Sequence, residues 1–140
     1  MDTLLTGHTL FFLHMLLAAL LGALIGIQRE RSGKAAGPRT YGLVSLGAAL
    51  FTTLSINAFG EAESSRVAAQ IVTGIGFLGA GIIIHKQGGT VEGLTTAAGL
   101  WAVSAIGMAV GAGWIIEAVI VSIIIFLLLA VNHHKWIKKL

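Results

Sequence analysis

Six carboxylates (Asp2, Glu30, Glu61, Glu63, Glu92 and Glu117) and five histidines (His8, His14, His85, His133 and His134) are the obvious groups for acid–base or metal chemistry, because the chain has no cysteine. Without thiols there is neither a disulfide framework nor a sulfur-based zinc site. The histidines show no zinc-protease spacing. His133 and His134 are adjacent, so on a helix they would not share a face. No nucleophile–base pair stands out, which argues against an enzyme. Magnesium prefers oxygen ligands, commonly carboxylates, and keeps several waters. None of the six acids falls in the middle of an apolar run. A carboxylate-lined magnesium path within one subunit is therefore poorly supported, whereas one lined by carbonyls or hydroxyls stays open. No cofactor is expected, and any metal site is left unassigned.

The elements that must position these groups are membrane helices. Hydrophobic residues make up 56% of the 140 positions and charged residues only 11%, against roughly 25% charged in a soluble domain. Mean hydropathy is +0.90. So few charges cannot cover a water-facing surface, and the implied solvent is lipid. Five apolar runs, about 10–27, 41–57, 67–84, 94–111 and 114–131, are each near the lower length limit for a span. Lipid cannot satisfy backbone polar groups, so open-chain spans must be helical. The expected fold is an all-α bundle of about five short transmembrane helices, one domain over 1–140 with no soluble C-terminal domain. Ala112-Gly113 would join the last two runs in a tight hairpin.

Charge sets the expected orientation. Arg29, Arg31, Lys34 and Arg39, then Lys86, then Lys135, Lys138 and Lys139 lie on alternate connections, while Arg66 alone lies opposite. Basic loops stay inside, which predicts N-terminus out and C-terminus in. The first run lacks a basic start and is followed by Gln28-Arg29-Glu30-Arg31, so it reads as a retained helix rather than a cleaved signal. A pI of 9.7 would suit nucleic acid in a soluble chain. Here the basic residues flank apolar runs, and anionic lipid headgroups are the simpler partner.

Nineteen glycines carry the next signal. Ala18, Gly22 and Gly26, and again Gly107 and Gly111, recur every four residues, a spacing that lets membrane helices approach closely. It serves packing within one chain, the favoured reading, or a seam between two copies, a dimer first. Gly74 and Gly81 share one face of the third run, with Gly76 and Gly79 near the opposite one. Neighbours would crowd that helix on two sides, or the segment would unwind and offer carbonyls to an ion. The Gln28–Thr40 connection is either a solvated loop that sets topology or an ordered element. In the second reading Arg29 or Arg39 pairs with Glu30 or Glu92 and receives a partner protein or a phosphate. Glu117 is expected at the outer interface, and the His133–Lys139 tail at the membrane surface.

Three stretches together resemble the N-terminal membrane domain of the MgtC/SapB family. They are Gly22–Arg31 continuing through Ala36-Gly37-Pro38-Arg39-Thr40 to Val44, Gln70–Gly81 with Ile82-Ile83, and Gly93–Trp101 running on to Gly113. Order and spacing match over nearly the whole chain. The departures are Pro38 for a usual Leu, Gln28 for a common acid, Glu92 for a basic or polar residue, and Gly99 for a frequent Ser. The resemblance implies a multi-pass protein of the bacterial inner membrane linked to magnesium homeostasis and low-magnesium adaptation. It would act by contact with other membrane proteins, ATP synthase among those suggested for the family, or alternatively by transporting magnesium or another small solute. Virulence members also carry a soluble C-terminal domain, and roles that depend on it are not transferred. The resemblance places function at Arg29, Glu30, Arg31, Arg39, Thr40, Thr95 and Thr96, with Gly74, Gly76, Gly79 and Gly81. Glu92 joins them on one expected cytoplasmic surface formed by the Arg-Glu-Arg connector and the Gly-Leu-Thr-Thr helix start.

Overall fold

A computed structural model describes residues 2–58, 64–87 and 89–131. Its five helices are α1 (Asp2–Arg31), α2 (Pro38–Ala58), α3 (Ser64–Ile82), α4 (Leu94–Gly111) and α5 (Ile115–Ala130). Four of them are long and apolar enough to cross a membrane; α5, at 16 residues, is shorter. At 1.5 Å per residue α5 is about 24 Å long, against a hydrocarbon core of about 30 Å.

The ends follow local chemistry. α1 runs past its apolar stretch to Arg31, and Arg29 and Arg31 in its last turn suit the negative end of the helix dipole. It stops at Gly33, whose φ of 68° permits a reversal: Gly33 N–H donates to Glu30 O and Lys34 N–H to Arg29 O. The same closure recurs after α4, where Gly113 donates to Val110 O and Trp114 to Ala109 O. The expected tight α4–α5 connection is this three-residue turn. α2 begins on Pro38, which has no N–H to leave unsatisfied.

One element was not expected. The apolar third run predicts a helix to residue 84, but α3 ends at Ile82 and the chain enters a small antiparallel hairpin. β1 (Ile84–His85) pairs with β2 (Val91–Glu92), Ile84 opposite Glu92 and His85 opposite Val91. Gly93 then adopts a φ of 91° as the N-cap of α4. A side chain there would also strike the Ile82 carbonyl oxygen.

α4 is the central helix and touches each of the other four. Its buried residues Leu100, Val103, Ile106 and Val110 recur at helical spacing and meet Tyr41 and Ala49 of α2 and Ala18 and Ile25 of α1 in one core. α3 rests mainly on α4 and only lightly on α2. The outer surface is greasy: Phe77 is 80% exposed, Ile116 72% and Leu128 68%. Large apolar side chains in such positions fit a lipid solvent.

Candidate functional site

The end of the bundle where α1 and α5 finish and α2 and α4 start carries most of the residues singled out from the sequence. Its centre is buried. Arg29 is 3% exposed, Thr96 4% and Tyr41 fully enclosed. Arg29 Nη2 donates to Thr96 Oγ1 at 3.5 Å, and Tyr41 Oη donates to Thr96 O at 3.4 Å. The guanidinium also lies beside the Tyr41 hydroxyl. Arg29 Nε is buried with no partner, and among the described residues no carboxylate pairs with this arginine. The guanidinium is held here by neutral acceptors, beside the C-terminal end of α1.

Packing brings the three residues together. The Tyr41 ring needs room against α4, and Gly99 supplies it: a Cβ at Gly99 would lie 2.5 Å from Tyr41 Oη. The Gly99 position, a departure from the family pattern, is thus filled by a neighbour's phenol. Gln28, another departure, donates from Nε2 to Leu129 O at 2.9 Å and ties the last turn of α5 to α1. Neither Tyr41 nor this role for Gln28 was anticipated. The available signal was their place at helix ends, where long polar side chains reach orphan carbonyls.

The expected surface is therefore only partly a surface. Glu30, Arg31, Arg39, Thr40, Glu92 and Thr95 are exposed, whereas Arg29 and Thr96 are interior. The expected pairing of Arg29 or Arg39 with Glu30 or Glu92 is also replaced. The hairpin sets Lys86 against Glu92, Nζ to Oε1 at 2.7 Å. Glu30 sits instead at the start of α2, where its Oε1 is 3.2 Å from where a Cβ on Gly37 would lie.

The glycines divide into two groups. Gly22 and Gly26 of α1 and Gly107 and Gly111 of α4 meet backbone. A Cβ on Gly22 would lie 2.5 Å from Tyr41 O, and one on Gly26 2.5 Å from Pro38 Cα. On Gly107 it would overlap Ser45 O, and on Gly111 the Ala49 carbonyl. In α3, Gly79 makes ordinary contact with Ala97, and Gly74, Gly76 and Gly81 have nothing within 4 Å. The expected crowding of α3 on two sides is absent within the chain, because α3 is peripheral. Nor is α3 unwound: it is helical throughout Ser64–Ile82. Beside it, a laterally open groove of about 550 Å³ runs between α2 and α3, lined by Leu43, Gly47, Phe51, Ile71, Gly74 and Leu78.

At the other end, Thr53 Oγ1 donates to Gly111 O at 3.0 Å and Asn57 Nδ2 to Thr53 O at 2.8 Å. His8, His14, Thr53 and Asn57 line a cavity of about 530 Å³ there. Glu117 is exposed in the first turn of α5. Among the described residues no three His, Asp or Glu side chains cluster as a metal site. Glu61, Glu63 and the expected interfacial tail at His133–Lys139 lie outside the described residues.

The model of the MgtC family matches residues 15–136. The chain belongs to the MgtC family. Protein MgtC of Brucella abortus is 50% identical over 82% of the chain and 47% of its own length. YhiD of Escherichia coli K12, whose name proposes a magnesium transporter, is 41% identical over 89% of the chain and 61% of its own length. An uncharacterized protein of Haemophilus influenzae is 37% identical over 94% and 60%. The chain thus spans about half to six-tenths of the length of these relatives. No solved structure matches it. Family membership and the apolar helices make this MgtC-family chain a multi-pass protein of the bacterial inner membrane.

Proposed function

We propose that the chain serves magnesium homeostasis by contact, its outward α3 face packing against membrane helices of a second copy or of another protein. The observation that carries this reading is the contrast among its glycines. Glycine in a helix interior is about 1 kcal/mol worse than alanine, and most glycines of α1 and α4 are matched by a neighbour's backbone. Gly74 and Gly81, which share one side of α3, have no such neighbour in the chain and leave that side without a side chain at two positions. Small residues of this kind let membrane helices approach closely. The magnesium connection rests on the family and on the names of relatives such as YhiD. In the proposed orientation the basic end, with Arg31, Lys34 and Arg39, faces the cytoplasm and its anionic lipid headgroups.

The chain has no cysteine, so single-cysteine crosslinking in native membranes is a clean test. Gly74→Cys and Gly81→Cys are expected to give discrete crosslinked species, a homodimer or a complex with one membrane protein. Ile124→Cys on the lipid-facing side of α5 is expected to give none. Equal crosslinking at all three positions would count against a contact face. The name of YhiD favours a second reading, transport of magnesium itself. Magnesium flux into liposomes holding only the purified chain would establish that reading in place of the first.

A further inference from the structure

The groove between α2 and α3 opens sideways, toward lipid in a bilayer, and its dimensions discriminate between occupants. Its walls run from Leu43 to Phe51 on α2, about 12 Å, and from Leu78 to Val67 on α3, about 16 Å. That is about half of a 30 Å hydrocarbon core, the depth of one leaflet. Over this length, a volume of about 550 Å³ corresponds to a section of about 40 Å². A helix with its side chains is about 10–12 Å across, a section of about 80–110 Å², and does not fit inside. Packed carbons lie about 4 Å apart, so an acyl chain is about 4–5 Å wide and two can lie there side by side.

The lining agrees. Leu43, Phe51 and Leu78 are exposed at the rim, whereas Ala48 and Ile75, which also line the groove, are buried. Close approach of a second helix needs small residues where the backbones meet, and here large side chains stand in the way. Thin, flexible chains pass between them. Ser104 lines the groove too, but its hydroxyl already donates to Trp101 O at 2.7 Å, so it asks nothing polar of an occupant. At the basic end the groove meets charge. Arg39 lies four residues before Leu43, and residues so spaced are neighbours on a helix surface. Arg39 is exposed, and among the described residues it has no ion pair.

We propose that this groove holds one phospholipid, with its two acyl chains between α2 and α3 and its phosphate against Arg39. A guanidinium binds phosphate through charge-assisted hydrogen bonds, and the chains cover apolar surface that the protein itself leaves open. The inference does not rest on the contact reading of α3, because Gly47 and Arg39 of α2 play no part in that reading.

Native mass spectrometry of the full chain, extracted from bacterial membranes in a mild detergent, is expected to show one adduct of phospholipid mass per chain. Gly47→Leu puts a side chain into the groove and is expected to remove the adduct. A Cβ at Gly47 meets nothing within 4 Å, so this variant is expected to fold. Ile124→Ala, on the exposed side of α5, is expected to keep the adduct. After delipidation, Arg39→Gln is expected to bind added phosphatidylglycerol about tenfold more weakly than the original chain. Absence of an adduct, or an undiminished adduct on folded Gly47→Leu protein, overturns the site. A lipid-free dimer that Gly47→Leu dissociates overturns it in favour of a second copy. Equal phosphatidylglycerol affinity in the Arg39→Gln variant overturns the assignment of the phosphate. Crosslinking at Gly81→Cys reads the α3 contact face separately, so failure of one reading is distinguishable from failure of the other.

Discussion

α4 and α3 are neighbouring glycine-containing helices, but their glycines do different work. On α4, Gly99, Gly107 and Gly111 are recesses filled by Tyr41, Ser45 and Ala49 of α2. On α3, a Cβ added at Gly74, Gly76 or Gly81 would meet nothing within 4 Å. Composition alone does not tell the two apart. What separates them is position: α4 is surrounded by the other helices, whereas α3 packs chiefly on one side. A glycine's meaning therefore depends on whether a partner backbone occupies the space a side chain would take.

The comparison is broken most directly by filling the recesses. Gly107→Leu is expected to cost more than about 3 kcal/mol, because the side chain would have to displace the α2 backbone at Ser45 rather than a flexible tip. Loss of the monodisperse folded peak in mild detergent would report it. Gly99→Ala should cost about 1–3 kcal/mol through collision with the enclosed Tyr41 hydroxyl. Adding Tyr41→Phe should recover part of that loss, a non-additive cycle measurable by denaturant titration in mixed micelles. Gln28→Ala should cost about 1 kcal/mol and loosen the end of α5, seen as faster amide exchange near Leu129. Gly74→Leu, placed in open space, should leave chain stability within about 0.5 kcal/mol while changing association in the membrane. If Gly74→Leu unfolds the isolated chain as Gly107→Leu does, the distinction between the two helices fails. The smallest effect belongs to Lys86→Ala. Its ion pair with Glu92 is more than half exposed, so at most a few tenths of a kcal/mol are expected, fading with added salt.

The helices were legible because each signal was long. The fourth run, read as 94–111, coincides with α4, since a glycine-bounded apolar stretch leaves little freedom at either end. The first apolar run, 10–27, is shorter than α1 because apolarity marks only the part of a helix that lies in lipid. The helix continues through Gln28-Arg29-Glu30-Arg31, all compatible with helix once outside the apolar layer. The β1–β2 hairpin was illegible because two-residue strands have no periodicity to detect. At the site, residue types pointed to the right end of the molecule but not to depth. Arg29 and Arg31 look alike in sequence, yet two residues turn a helix by about 200°, so one faces the core and the other faces outward. The Gly99–Tyr41 fit joins residues 58 positions apart in sequence, so only tertiary packing reveals it.

The brevity of α5 has a consequence for the surrounding lipid. α1 offers a 25-residue candidate span and α5 only 16 residues, so one side of the molecule is tall and another short. Acyl chains beside α5 must compress by several ångströms to meet it, at fractions of a kcal/mol per ångström of mismatch. The protein would carry a lopsided dimple in the bilayer, and thinner membranes would accommodate it at lower elastic cost than thick ones.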